Sequence, residues 1–182
     1  MLKYLLSICL FIFTFNAYAL EDGSFEAGFP NNFWILESSY GNIDSFPLCD
    51  INNCNFDIAR TGDWVVLIGG VPTGVFSRIK QNIIIDIYDT DISLWIYRAT
   101  CDSFTDTVNV KIDGDIIGSL ACFASDLDYN NHLYSLDGYN DNNTHILEIE
   151  GTVGGTNGNH SNFFIDDISI ISSNLIYSNG FE

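Results

Sequence analysis

The sequence predicts an all-β protein, an antiparallel two-sheet β-sandwich of the jelly-roll type. Short runs rich in Ile, Val, Phe and Tyr recur between clusters of Asn, Asp, Gly and Ser, the signature of strands of about four to eight residues separated by turns. No stretch sustains the 3.6-residue apolar period of a helix. Asp113-Gly114 stands between Val108-Asn109-Val110-Lys111-Ile112 and Ile116-Ile117, a hairpin signal, because a tight primed turn needs positive φ and glycine accepts it. Many short strands with turn signals at this spacing imply a sandwich or jelly roll.

In chain order, strands are expected near 23–27, 33–37, 56–60, 64–69, 75–79, 82–88, 92–98, 107–112, 116–122, 132–136, 145–151 and 163–171. Alternation assigns faces where it is clean. In 92–98, Ile92, Leu94 and Ile96 point inward, and Ser93, Trp95 and Tyr97 point outward. Val108, Val110 and Ile112 point inward, and Asn109 and Lys111 outward. In the last strand Asp166 shares the core side with Phe164, Ile168 and Ile170, and Asp167 faces the other way. Residues 127–145 are dense in turn formers and read as loops around one short strand.

The ends suggest export. Lys3 precedes an apolar run from Tyr4 to Phe15, and Ala17-Tyr18-Ala19 is a small-x-small cleavage pattern. Residues 1–19 are expected to be a cleaved signal peptide, 20–172 the sandwich and 173–182 a C-terminal tail, with no membrane span after cleavage. The formal net charge is −18 and becomes −19 once Lys3 is removed. Such a surface disfavours nucleic acid and anionic lipid, which are bound through Lys and Arg, and favours calcium. Four cysteines remain after the signal, Cys49, Cys54, Cys101 and Cys122, and an even count in an exported chain reads as two disulfides. Of three possible pairings, local geometry favours Cys49–Cys54 and Cys101–Cys122. Zinc is disfavoured because the chain has no CxxC pair and its three histidines lie far from the cysteines.

Several short segments, in order, carry a resemblance: Gly23-Ser24-Phe25-Glu26-Ala27-Gly28 with Trp34 after it, Ala59-Arg60-Thr61-Gly62-Asp63-Trp64, Ile79-Lys80-Gln81, Asp106 to Gly114, Thr144 to Leu147, and Asn162-Phe163-Phe164-Ile165-Asp166-Asp167-Ile168-Ser169-Ile170. Together they resemble secreted bacterial β-sandwich domains found beside extracellular peptidases and glycoside hydrolases, related in fold to galactose-binding-like carbohydrate-binding modules. The opening Phe-Glu and closing Asp-Asp-Ile also resemble MAM adhesion domains, which usually begin with a cysteine that is absent here. The carbohydrate-binding resemblance implies a structural calcium ion where the first and last strands meet, on Glu26 and Asp166 with carbonyls near Ser24 and Thr61 to Asp63. Calcium takes about six to eight hard oxygen ligands of these kinds.

No catalytic constellation is evident. The chain has no Gly-x-Ser-x-Gly elbow, no HExxH pair and no phosphate-loop lysine after Gly151–Gly158, so a non-enzymatic, monomeric protein is expected. Trp95 and Tyr97 offer flat rings for a sugar face, and Arg98 could take its hydroxyls. The competing reading makes Trp95 and Tyr97 ordinary packing beneath loops. The expected partner is an extracellular glycan, or alternatively a surface protein met by an adhesion domain.

Overall fold

The structure, a computed structural model, describes residues 19–40, 45–54, 58–70, 74–154 and 160–173, with the side chains of 53 and 54 left out. Its elements are β1 (Ile35–Ser38), β2 (Leu48–Asp50), a helical turn α1 (Ile51–Cys54), β3 (Trp64–Gly69), β4 (Val75–Ile84), β5 (Asp89–Thr100), β6 (Thr107–Ile112), β7 (Asp115–Ala121), β8 (Asn130–Ser135), β9 (Thr144–Val153) and β10 (Asn162–Ser172). They form two five-stranded antiparallel sheets, in the orders β1-β4-β9-β6-β7 and β2-β3-β10-β5-β8. Among the described residues only β6-β7 and β2-β3 are sequence neighbours paired in space, and the other consecutive strands lie in different sheets, as in a jelly roll.

The core between the sheets is built by alternation. Ile79 and Ile83 of β4, Val108, Val110 and Ile112 of β6, and Leu147 and Ile149 of β9 meet Val66, Ile68, Ile92, Leu94, Ile96, Phe163 and Ile165 of the other sheet, all buried. The inward assignments for β5 and β6 therefore hold. Asp113 and Gly114 both adopt positive φ, 53° and 91°, as the β6-β7 turn requires. Cys101 and Cys122 are disulfide-bonded across the base of this hairpin, with Cα atoms 5.2 Å apart. The expected Cys49–Cys54 bridge falls on a side chain outside the described residues.

Three expectations about elements are corrected, and one strand is added. Residues 23–27 form no strand: they are successive turns with Phe25 at φ 65° and buried against Trp34. Of 56–60, residues 56 and 57 lie outside the described residues, and 58–60 are irregular. The two strands expected at 75–79 and 82–88 merge in the single β4, which ends at Ile84, and 85–88 form the turn before β5. Polar Gln81 sits in its inward row because its side-chain amide clamps the Glu21 backbone, accepting from Glu21 N at 2.8 Å and donating to Glu21 O at 2.9 Å. Finally, β2 is a strand that no expectation included.

The second sheet is covered on both faces. Outside it, Phe46, Cys49, Val65, Leu67 and Phe164 are buried with Tyr40, Ile58, Ala59, Tyr97 and Tyr129 packed against them. Phe164 thus faces away from the inter-sheet core, contrary to the face expected for it. The cause is a bulge. In β10, Asp166 pairs with Trp95 but Ser169 with Ser93, so one extra residue, Asp167 at φ 44°, shifts the alternation and lets Phe163, Ile165 and Ile168 all point inward.

At the far end of the first sheet, His145 lies between two carboxylates. Its Nδ1 is 2.8 Å from Asp113 Oδ2 and its Nε2 3.0 Å from Asp141 Oδ1, so both ring nitrogens donate when the imidazole is protonated. Burial works to lower its pKa, but the hydrogen bonds and charges of Asp113 and Asp141 outweigh burial and raise it. Hydrogen bonds from Asn143 and His145 hold Asp141 down to about 2. The imidazolium therefore stabilises the fold below the ordinary histidine pKa of about 6.5 and the contribution is lost as pH rises through the higher folded value, while the carboxylates contribute above about 4. Melting curves from pH 4 to 9 should show a decline on the alkaline side that His145→Gln removes. The double variant Cys101→Ser/Cys122→Ser, opening a loop of sequence separation 21, should lose about 3 kcal/mol of unfolding free energy in urea.

Candidate functional site

On the outer face of the second sheet, the register sets two rungs side by side. Phe164 stands between Leu67 and Tyr97 in one, and Trp95 between Asp166 and Asn131 in the next. The first rung is apolar packing: Tyr97 lies 6.1 Å from Phe164 in stacked geometry and 5.7 Å from Tyr129. The second opens into a groove of ≈ 540 Å³ lined by Ile58, Ala59, Arg60, Trp95, Tyr97, Leu127, Asp128 and Tyr129. That volume lies within the range of about 300–1,000 Å³ usual for small-ligand sites.

Two loops make its walls. Segment 58–61 is held by β10: the Asp166 carboxylate accepts from Arg60 N at 2.8 Å and Thr61 N at 3.1 Å, and from Asp167 N at 2.7 Å. Asp166 is fully buried, and burial pushes its carboxyl up to about 6. A buried acid is tolerated here because backbone N–H groups surround it. Asp167 was expected to face away from Asp166, yet it reaches the same loop. It accepts from Thr61 Oγ1 at 2.8 Å and pairs with the Arg60 guanidinium, because its left-handed backbone turns the side chain back. Arg60 then lies over the Trp95 ring, 3.8 Å from its centroid, a cation–π contact. The second wall, 127–129, is tied to the first by the Tyr129 hydroxyl, which donates to Ile58 O at 2.8 Å. Burial raises the pKa of that phenol, which keeps it a donor.

The structure therefore brings Trp95 and Tyr97 into one groove, half-buried rather than freely displayed. Arg98 is placed elsewhere. Its guanidinium forms a two-pronged pair with Asp126, Nε to Oδ2 at 2.9 Å and Nη2 to Oδ1 at 2.7 Å, and it donates to Ala121 O at 3.2 Å. It latches the β7-β8 loop to β5. Arg60, Leu127 and Asp128 were missed as groove residues. They sit on loops, where no periodicity announces a face.

The residues expected to hold calcium occupy the other side of the same loop. Glu26 accepts from Asp63 N at 3.0 Å and from Trp64 N at 3.0 Å, while Gly23 O accepts from Ile168 N at 2.8 Å. Ser24 lies in the same turn, and the Asp63 carbonyl accepts from Ile51 N at 3.0 Å. The described contacts of Glu26 and Asp166 are N–H donors, which would oppose a cation at the same lone pairs, and among the described residues no group of three or more His, Cys, Asp or Glu gathers to hold a metal. Hydrogen bonds join the first turn to the last strand.

A second depression of ≈ 640 Å³ lies outside the first sheet, lined by Glu21, Asn32, Phe33, Ile35, Lys80, Gln81, Asn82, Ile146 and Glu148.

The sequence matches no protein-family model and no curated protein. Solved structures do share the frame. A family 61 carbohydrate-binding module in complex with β-1,4-galactotriose aligns with a TM-score of 0.58 at 13% identity, over 85% of this chain and 98% of that one. A structure from work on the promiscuous specificity of carbohydrate-binding modules of the β-sandwich superfamily aligns with a TM-score of 0.50 at 11% identity, over 86% of this chain and 62% of that one. At such identities the likeness is one of fold, and it agrees with the two-sheet architecture above.

Two outcomes test the loop. Asp166→Ala should cost about 2–4 kcal/mol by leaving the Arg60 and Thr61 amides unsatisfied. Melts of the unaltered protein in excess calcium and in chelator should coincide, whereas a calcium-dependent rise that Asp166→Ala abolishes would restore the ion.

Proposed function

We propose that the protein is a secreted, non-catalytic carbohydrate-binding module whose ligand lies in the groove between 58–60 and 127–129. The observation that carries this reading is the convergence of Trp95, Tyr97 and Tyr129 with Arg60 and Asp128 around one open groove. Aromatic rings offer apolar faces to the C–H side of a sugar, and charged groups at the margin take its hydroxyls. The frame shared with carbohydrate-binding modules supports the reading, and the galactotriose bound to one of them makes β-1,4-galactan a reasonable first probe. The leader at 1–19 supports secretion, and among the described residues no helix is long and apolar enough to cross a membrane.

A protein-interaction role is favoured by one other feature. Phe104, Phe123 and Leu127 are strongly exposed, at 69%, 77% and 103%, on the loops that flank the Cys101–Cys122 bridge. Exposed apolar groups on restrained loops suit a protein surface.

A glycan panel followed by calorimetry separates the two. Trp95→Ala and Tyr97→Ala should weaken glycan binding about tenfold or more, since each removes a ring contact of about 1–1.5 kcal/mol or larger. Phe104→Ser and Phe123→Ser should leave it unchanged. The reverse pattern would favour the protein-interaction role.

A further inference from the structure

The chain has six Lys and Arg against 24 Asp and Glu. Lys3 lies in the leader, and each of the other five is already faced by a carboxylate. Arg60 pairs with Asp167, Arg78 with Glu37 and Glu148, Lys80 with Glu37, Arg98 with Asp126, and Lys111 with Glu148 and Glu150. Such pairs add little to stability when exposed. Their consequence for a ligand is larger, because an incoming anion finds no cation that is not already engaged.

The groove concentrates this property. Arg60 is the sole Lys or Arg in its lining, and Asp128 stands in the same lining. The Arg60 guanidinium is doubly committed, to Asp167 and to the face of Trp95, and its backbone is fixed by Asp166. A ligand carboxylate or sulfate could reach only an N–H whose charge Asp167 already balances, so it gains little of a charge-assisted bond, while meeting Asp128 and the field of the whole acidic surface. A ligand hydroxyl needs no unbalanced charge, since it can share a donor or accept from an N–H that Arg60 keeps free. Specificity of this kind comes from what the wrong ligand cannot satisfy.

We infer that the groove selects uncharged glycans and rejects acidic ones, with Arg60 as the specificity-determining residue and Asp167 as the group that keeps it from serving as an anion site. This rests on the glycan reading of the groove.

The test compares two forms of one polymer, a neutral β-1,4-galactan oligosaccharide and the same oligosaccharide oxidised at C6 to uronic acids, titrated calorimetrically into the protein without its leader. At about 0.01 M salt, where charges act over about 30 Å, the oxidised form should bind about tenfold more weakly or worse, and the gap should shrink toward 1 M salt. Asp167→Asn, which frees the Arg60 fork, should narrow the low-salt gap. Equal binding of the two forms at low salt would overturn the inference. So would a gap insensitive to salt, which would mean that the C6 hydroxyl itself is recognised, and so would an unchanged gap in a folded Asp167→Asn protein. If that variant does not fold, the salt dependence of the unaltered protein decides. Failure of both forms, with binding absent across a wider neutral panel, would remove the glycan reading and this inference together, whereas the other outcomes leave that reading standing.

Discussion

The buried carboxylate of Asp166 is the interaction on which the functional half of the molecule depends. A charge with no exposed surface is costly unless its oxygens are satisfied, and here the satisfying groups are the Arg60 and Thr61 amides. That requirement pins the 58–61 loop onto β10. The pinned loop puts Arg60 over Trp95 and the Ile58 carbonyl within reach of Tyr129, so one buried acid positions both walls of the groove. The other end of the loop is held by Glu26 through the Asp63 and Trp64 amides. Two acids from opposite ends of the sequence thereby grip one segment, and the domain is closed without any contact between the acids themselves.

The β10 bulge makes this arrangement possible. Without its extra residue, strict alternation would oppose Phe163, Ile165 and Asp167 on one face to Phe164, Asp166 and Ile168 on the other. With it, Ile168 returns to the core and Asp166 stays outside the sheet among the loop amides. Face assignment by period was therefore reliable for β5 and β6, where Ile92, Leu94, Ile96, Val108, Val110 and Ile112 read correctly, and failed in β10 at the residue where register changes. A bulge at a non-glycine residue such as Asp167 leaves little trace in composition. The same limit applies to β4: the two strands expected at 75–79 and 82–88 left Gln81 between them, whereas its amide serves the Glu21 backbone, a tertiary contact 60 residues away in sequence that local pattern cannot register.

The groove was half legible. Trp95 and Tyr97 follow from alternation on a long strand, so the sequence points to them. Arg60 and Asp128 come from turn-rich segments, and their convergence depends on hydrogen bonds to β10 and to Ile58 that exist only in the folded chain. Arg98 shows the opposite error: it adjoins the aromatic pair in sequence, yet Asp126 captures its fork. Loops carry function on a frame that many proteins share, so the 13% identity over nearly the whole of a carbohydrate-binding module describes the frame and leaves the ligand to these few side chains.

The most direct measurement is an amide NMR titration of the protein with a neutral β-1,4-galactan oligosaccharide. Shifts confined to residues 58–61, 95–97 and 127–129, together with the Trp95 indole, are the predicted result. Shifts centred instead on Phe33, Ile35, Asn82 and Ile146, around the depression outside the first sheet, would contradict it and move the binding site to the other face of the sandwich.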